Sequence, residues 1–209
     1  MTRFYVNERE IVPPPGIKSF EEILRHVDGN QLPPNSVVRL VSIDGNPVIQ
    51  DDLSKNPAAL IKQMESGEKV EIITGTVDEI VRDSLAEAFA YLERAEEGIP
   101  ALAQNFQAGP GPESYQGLRQ LYEGFYWVNV LLSKLSDKYG IVLDEVIVQG
   151  VPAGEHNKKF ISVLKQLMDS QEKGDMVLIS DLLEYEIAPM VPLWKEMFQI
   201  IADRTAVAR

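Results

Sequence analysis

The sequence predicts an α+β protein, with a small β-rich N-terminal module over residues 1–75 and an antiparallel four-helix bundle over residues 76–209. Short β-prone runs between turn residues fill the first part, whereas apolar residues recur at steps of three and four from Val81 onward. At 209 residues the chain exceeds a usual single domain of about 100–150 residues. Its 44% hydrophobic and 25% charged residues are those of a chain that folds by burying a core.

In the N-terminal module, Arg3 to Val12 forms two β-prone pieces about the polar Asn7–Glu8, which predicts a hairpin stopped by Pro13-Pro14-Pro15-Gly16. The proline run reads as a stiff loop. Ser19 and Glu22 make a capping box for a short helix whose apolar stripe is Phe20, Ile23, Leu24 and Val27, ending at Gly29. Val37 to Ile43 reads as a strand, Asp44-Gly45-Asn46 as its turn and Val48-Ile49 as an edge strand. A second short helix, Pro57 to Met64, precedes Lys69 to Thr74, whose alternation marks a last half-buried strand. This order, two strands, helix, two strands, short helix, strand, resembles the β-grasp arrangement of ubiquitin-like and sulfur-carrier domains. Sulfur carriers and modifiers need a free C-terminal diglycine, and Thr74-Gly75-Thr76 here leads straight into a helix. The resemblance therefore implies a docking surface.

Thr76 and Glu79 form another capping box. Val81, Leu85, Ala88, Leu92, Ala95, Ile99, Leu102 and Phe106 then predict a long helix with a coiled-coil-like seam, bent where Gly98 and Pro100 interrupt it. After Gly109-Pro110-Gly111 a second helix runs from Pro112 to Lys138, with Leu118, Leu121, Phe125, Val128, Leu132, Leu135 and Tyr139 on one face. Tyr122, Tyr126 and Trp127 widen that face into an aromatic belt, read chiefly as core. Ile141 to Val148 is β-prone and isolated, an extended crossover against the bundle. Pro152 opens a third helix that carries Phe160, Val163, Leu164, Leu167 and Met168 inward. Asp175 caps a fourth, antiparallel to it, with Ile179, Leu182, Leu183, Met190, Leu193, Trp194, Met197 and Ile201 inward and a kink or break at Pro189 and Pro192.

The segment Lys173 to Trp194, with Asp-Leu-Leu-Glu-Tyr-Glu followed by proline and tryptophan, resembles bacterial helical-bundle domains of uncharacterised function. The resemblance spans residues 141–201 and implies a bundle fold and a bacterial origin, with no active site attached.

Composition removes several chemistries. Without cysteine there is no disulfide, thiolate metal site, iron–sulfur cluster or cysteine nucleophile. Met1 to Glu10 lacks the basic start and apolar stretch of a signal peptide, and no run approaches the ~20 apolar residues of a membrane span, so a cytoplasmic, non-membrane protein is expected. Twenty basic against 32 acidic residues give −12, of which −9 falls beyond residue 75, and no basic stripe is present to follow nucleic acid. The two histidines, His26 and His156, follow Ile23 and Ala153 by three positions, so the Glu-x-x-His pattern of di-metal carboxylate bundles is missing. Nucleophile elbows and glycine-rich phosphate loops are also missing. No catalytic residue, metal ligand or cofactor is assigned.

What remains is a candidate ligand-binding set. Tyr126 and Trp127 supply the belt, and Asp181, Glu184 and Glu186 form a carboxylate cluster on the fourth helix. Glu186, near the inward seam, is expected to brace the helix by pairing with Lys or Arg of a neighbour. The leading expectation is a non-enzymatic interaction protein, adaptor or chaperone-like, that binds a protein partner or itself through bundle faces or a sheet edge. The alternative is a small-molecule-binding or enzymatic bundle with an aromatic and carboxylate pocket. An enclosed pocket lined by Tyr126, Trp127 and Glu186 would favour the alternative; an open apolar groove would favour the first.

Overall fold

The computed structural model describes residues 2–12, 22, 26, 27, 36–48, 66 and 68–207. The chain divides into two compact units, Met1–Arg82 and Asp83–Arg209, and the division falls within a helix, beyond the Gly75–Thr76 boundary suggested by sequence.

The first unit is built on a five-stranded sheet in the order β2-β1-β5-β3-β4, with β1 Arg3–Val6, β2 Arg9–Ile11, β3 Ser36–Ile43, β4 Asn46–Pro47 and β5 Lys69–Thr76. The first and last strands run parallel at its centre, and the other pairs are antiparallel. Asn7 and Glu8 both take positive φ, as do Asp44 and Gly45, so each hairpin closes in a two-residue turn whose twist suits the strands. Asn7 also ties the first turn to the last strand: its Oδ1 accepts from the Thr74 amide at 2.8 Å and its Nδ2 donates to Thr74 Oγ1 at 2.6 Å. Val6, Ile11, Val41, Ile43, Val70 and Ile72 form the core together with Val27. Glu22, His26 and Val27 are helical. The other residues of that predicted helix, the proline run 13–15, Ile49 and the predicted helix 57–64 lie outside the described residues.

In the second part, α1 is Val77–Ala108, α2 Pro112–Tyr139 and α3 Ala153–Lys173. The last helical stretch runs through α4 Met176–Asp181, a π turn Leu182–Ile187 and α5 Ala188–Val207. Residue pairs fix neighbours antiparallel. Phe106 meets Tyr115 and Tyr91 meets Phe125 between α1 and α2, while Asn129 meets Asn157 and Phe125 meets Phe160 between α2 and α3. Ser180 Oγ donates to the Ala103 carbonyl at 3.0 Å and Lys195 pairs with Glu96 at 2.8 Å, which closes the last helix against α1. The core is aromatic: Phe125, Phe160, Trp194 and Phe198 are all fully buried and stack by edges and tilts.

Several sequence expectations need correction. The buried seam of α1, a helix that runs unbroken through Gly98 and Pro100, passes from Ile99 to Ala103 rather than Leu102. Residues 141–152 are not an extended crossover: a 3₁₀ turn, Leu143–Glu145, leads into a minimal hairpin, β6 Ile147–Val148 and β7 Val151–Pro152, turned by Gln149 and Gly150 at positive φ. Val146 and Val148 are its buried anchors. Pro189 and Pro192 do not break the last helix. The π turn just before them adds one residue to the spiral, and the Ala188 amide bonds back to the Leu183 carbonyl five residues earlier. Asp175 caps as predicted, its carboxylate accepting from the Leu178 amide at 3.0 Å.

Candidate functional site

Two helices of the bundle carry more apolar residues than one core face needs. On α2 the core stripe Leu118, Leu121, Phe125, Val128, Leu132 is buried, and beside it run Tyr122, Tyr126 and Val130. On α3 the buried stripe is Phe160, Val163 and Leu167, with Ile161, Leu164 and Met168 each one position further round. A step of one residue is about 100° on a helix, so these second stripes cannot share the core with the first. They face one another and line an open trough of ≈ 470 Å³ between α2 and α3. Met168, expected inward, is 53% exposed, and Tyr126 is 73% exposed rather than core.

The trough is apolar along both walls. Among its lining residues only Asn129, Lys165 and the tyrosine hydroxyls are polar, and no carboxylate is present. Asn129 is engaged with Asn157 at 2.8 Å. Tyr122 carries a buried hydroxyl without a hydrogen-bond partner, and burial pushes its ionisation up to about 12.

A second, more open groove of ≈ 740 Å³ lies between α1 and α2, with Tyr91, Arg94, Trp127 and Glu123 on its walls. Gly98, Gly117 and Gly124 also line it, and only beside Gly98 is the space of the missing side chain open. Tyr91 lies directly over Gly124 and donates from its hydroxyl to the Leu121 carbonyl at 3.1 Å; burial raises its phenol.

The structure does not bring the sequence-predicted residues into one pocket. Tyr126 lines the α2–α3 trough and the adjacent Trp127 the α1–α2 groove. Asp181 and Glu184 are exposed at the π turn, where Glu184 raises the phenol of exposed Tyr185 by charge, with smaller contributions from burial, a hydrogen bond to Glu184 and the charge of Asp181. Glu186 lines neither groove and pairs with Lys159 of α3 at 3.0 Å, a brace between helices. His156 binds locally too, its Nε2 lying 3.0 Å from the Val148 carbonyl oxygen at the start of α3. No cluster of three or more metal-ligating side chains occurs among the described residues. No helix among them is long and apolar enough to cross a membrane.

Sequence reasoning does not single out Ile161, Lys165 and Met168 as part of a site. The signal that could have found them is the doubling itself: apolar pairs at 121/122, 125/126, 160/161, 163/164 and 167/168.

Fold and trough together make this a helical-bundle protein with an uncovered apolar face. Residues 83–197 match the family model described as "Domain of unknown function (DUF8042)", and the chain belongs to this family. The match begins at the first residue of the second unit, so the sheet-based unit lies outside it. No curated protein and no solved structure matches the chain.

Proposed function

We propose that the chain is a non-enzymatic interaction protein, of adaptor or chaperone-like type, whose helical bundle holds a partner protein in the trough between α2 and α3. The observation that carries this reading is the exposed second apolar stripe, with Tyr126 73% and Met168 53% exposed on opposite walls. Paired apolar walls on two antiparallel helices offer a further helix the same ridge-and-groove packing that holds the bundle together.

The N-terminal unit is read as a β-grasp module that adds a second docking element. Support comes from the strand order β2-β1-β5-β3-β4 with its parallel central pair.

The test is site-directed photocrosslinking in extracts of cells that carry this protein. A Tyr126→p-benzoylphenylalanine chain is expected to cross-link a protein, and the product should vanish when Met168→Asp is added. The same probe at Lys134, off the trough, serves as control. Equal labelling at both positions, or none at Tyr126, rejects the reading.

A further inference from the structure

We infer that the occupant of the trough is an amphipathic helix of a partner protein, seating about two turns of apolar side chains and presenting an Asp or Glu to Lys165. The inference rests on the docking reading above and names its partner.

Length and direction come first. The second stripe of α2 runs from Tyr122 to Val130 and that of α3 from Ile161 to Met168. Each wall is about 12 Å long, the rise of two helical turns. Tyr122, Tyr126 and Val130 recur at steps of four on one wall and Ile161, Leu164 and Met168 at steps of three and four on the other, along walls that run antiparallel, which suits a rod lying along them.

Charge gives the rest. Lys165 is the one charged side chain on the trough, and no carboxylate pairs with it among the described residues. Lys158 and Lys159 of the same helix differ, since Lys158 is held by Glu155 at 2.8 Å and Lys159 by Glu186 at 3.0 Å, and Lys173 lies at the helix end, away from the trough lining. A cation beside an apolar floor gains most from an anion delivered together with the surface that excludes water. A second copy of the chain is a poor donor, because it brings another net charge of −12 and another Lys165 to the same face.

The experiment is selection of a phage-displayed library of helical peptides against the full chain, with the Tyr126→Asp chain as counter-selection. Retained peptides should share apolar residues at i, i+3 or i+4, and i+7, with an acidic residue beside them. They should bind Lys165→Glu about tenfold more weakly and recover when the acid is changed to Lys. Retained peptides that lack the acid, or ignore Lys165→Glu, overturn this inference and leave the docking reading standing. If no retained peptide is released by Tyr126→Asp, both fall. A dimer seen by light scattering and dispersed by Tyr126→Asp assigns the trough to a second copy and overturns the inference.

Discussion

The ring of Tyr91 occupies the space that a side chain at position 124 would need, so Gly124 is held by its neighbour and not by its own backbone. A methyl group at 124 would force Tyr91 off the α2 surface and break its bond to the Leu121 carbonyl. Gly124→Ala should therefore cost about 1–3 kcal/mol despite alanine's better helix propensity. Gly98 is the contrast: nothing lies within 4 Å of the Cβ it lacks. Gly98→Ala should stabilise by up to about 1 kcal/mol, and urea unfolding of the two variants should move in opposite directions.

Trp194 lies among Phe125, Phe160 and Phe198 with its indole N–H buried and unpartnered. Trp194→Phe removes that donor along with some volume, so its loss of stability should be well below that of Trp194→Ala, which opens a cavity at a cost of about 3–5 kcal/mol. Equal losses in thermal melts would mean that the indole N–H is satisfied.

Tyr126 and Met168 contribute little to folding if their role is to meet a partner. Tyr126→Asp and Met168→Asp should each leave unfolding free energy within about 0.5 kcal/mol of the parent while removing the cross-link at the trough. Losses of several kcal/mol would show instead that both side chains serve the bundle.

Acid stability should respond to the first turn of α1. Glu79 accepts from the Thr76 amide at 2.8 Å and Thr76 Oγ1 accepts from the Glu79 amide at 3.2 Å; the Thr76 amide, and after it the Thr76 hydroxyl, hold the carboxyl below its ordinary value of 4.5. A lowered carboxyl stabilises the fold above its unfolded pKa and loses that contribution as pH falls through the folded one. The advantage of the parent chain over Glu79→Gln should accordingly shrink between about pH 6 and pH 3. An advantage constant over that range would show that the pair makes no charge-dependent contribution.

Asp175 is the cap on which the α3–α4 turn depends. Asp175→Ala should cost about 1 kcal/mol, and Asp175→Ser should recover most of it by chemical denaturation.

Local chemistry is legible in the order of the residues. The Thr76–Glu79 box, the Asp175 cap, the Asn7–Glu8 and Asp44–Gly45 turns and the core stripe of α2 all fall where spacing places them, because each depends on residues a few positions apart. The π turn is not legible in that way: proline alone signals a break, whereas the chain stays helical past Pro189, with Leu182, Leu183 and Ile187 of the π turn buried in the core.

The same division applies to the site. The order of residues establishes that α2 and α3 carry excess apolar side chains. It misplaces Tyr126 and Met168 in the core, since periodicity defines an apolar arc but not how much of it a neighbour covers. That coverage is a matter of tertiary packing. Antiparallel contact through Phe125, Phe160 and Trp194 uses one stripe of each helix and turns Tyr126 and Trp127, one residue apart, into different grooves. The cause is rotational: neighbours along a helix point about 100° apart, so the helix that covers one leaves the other open.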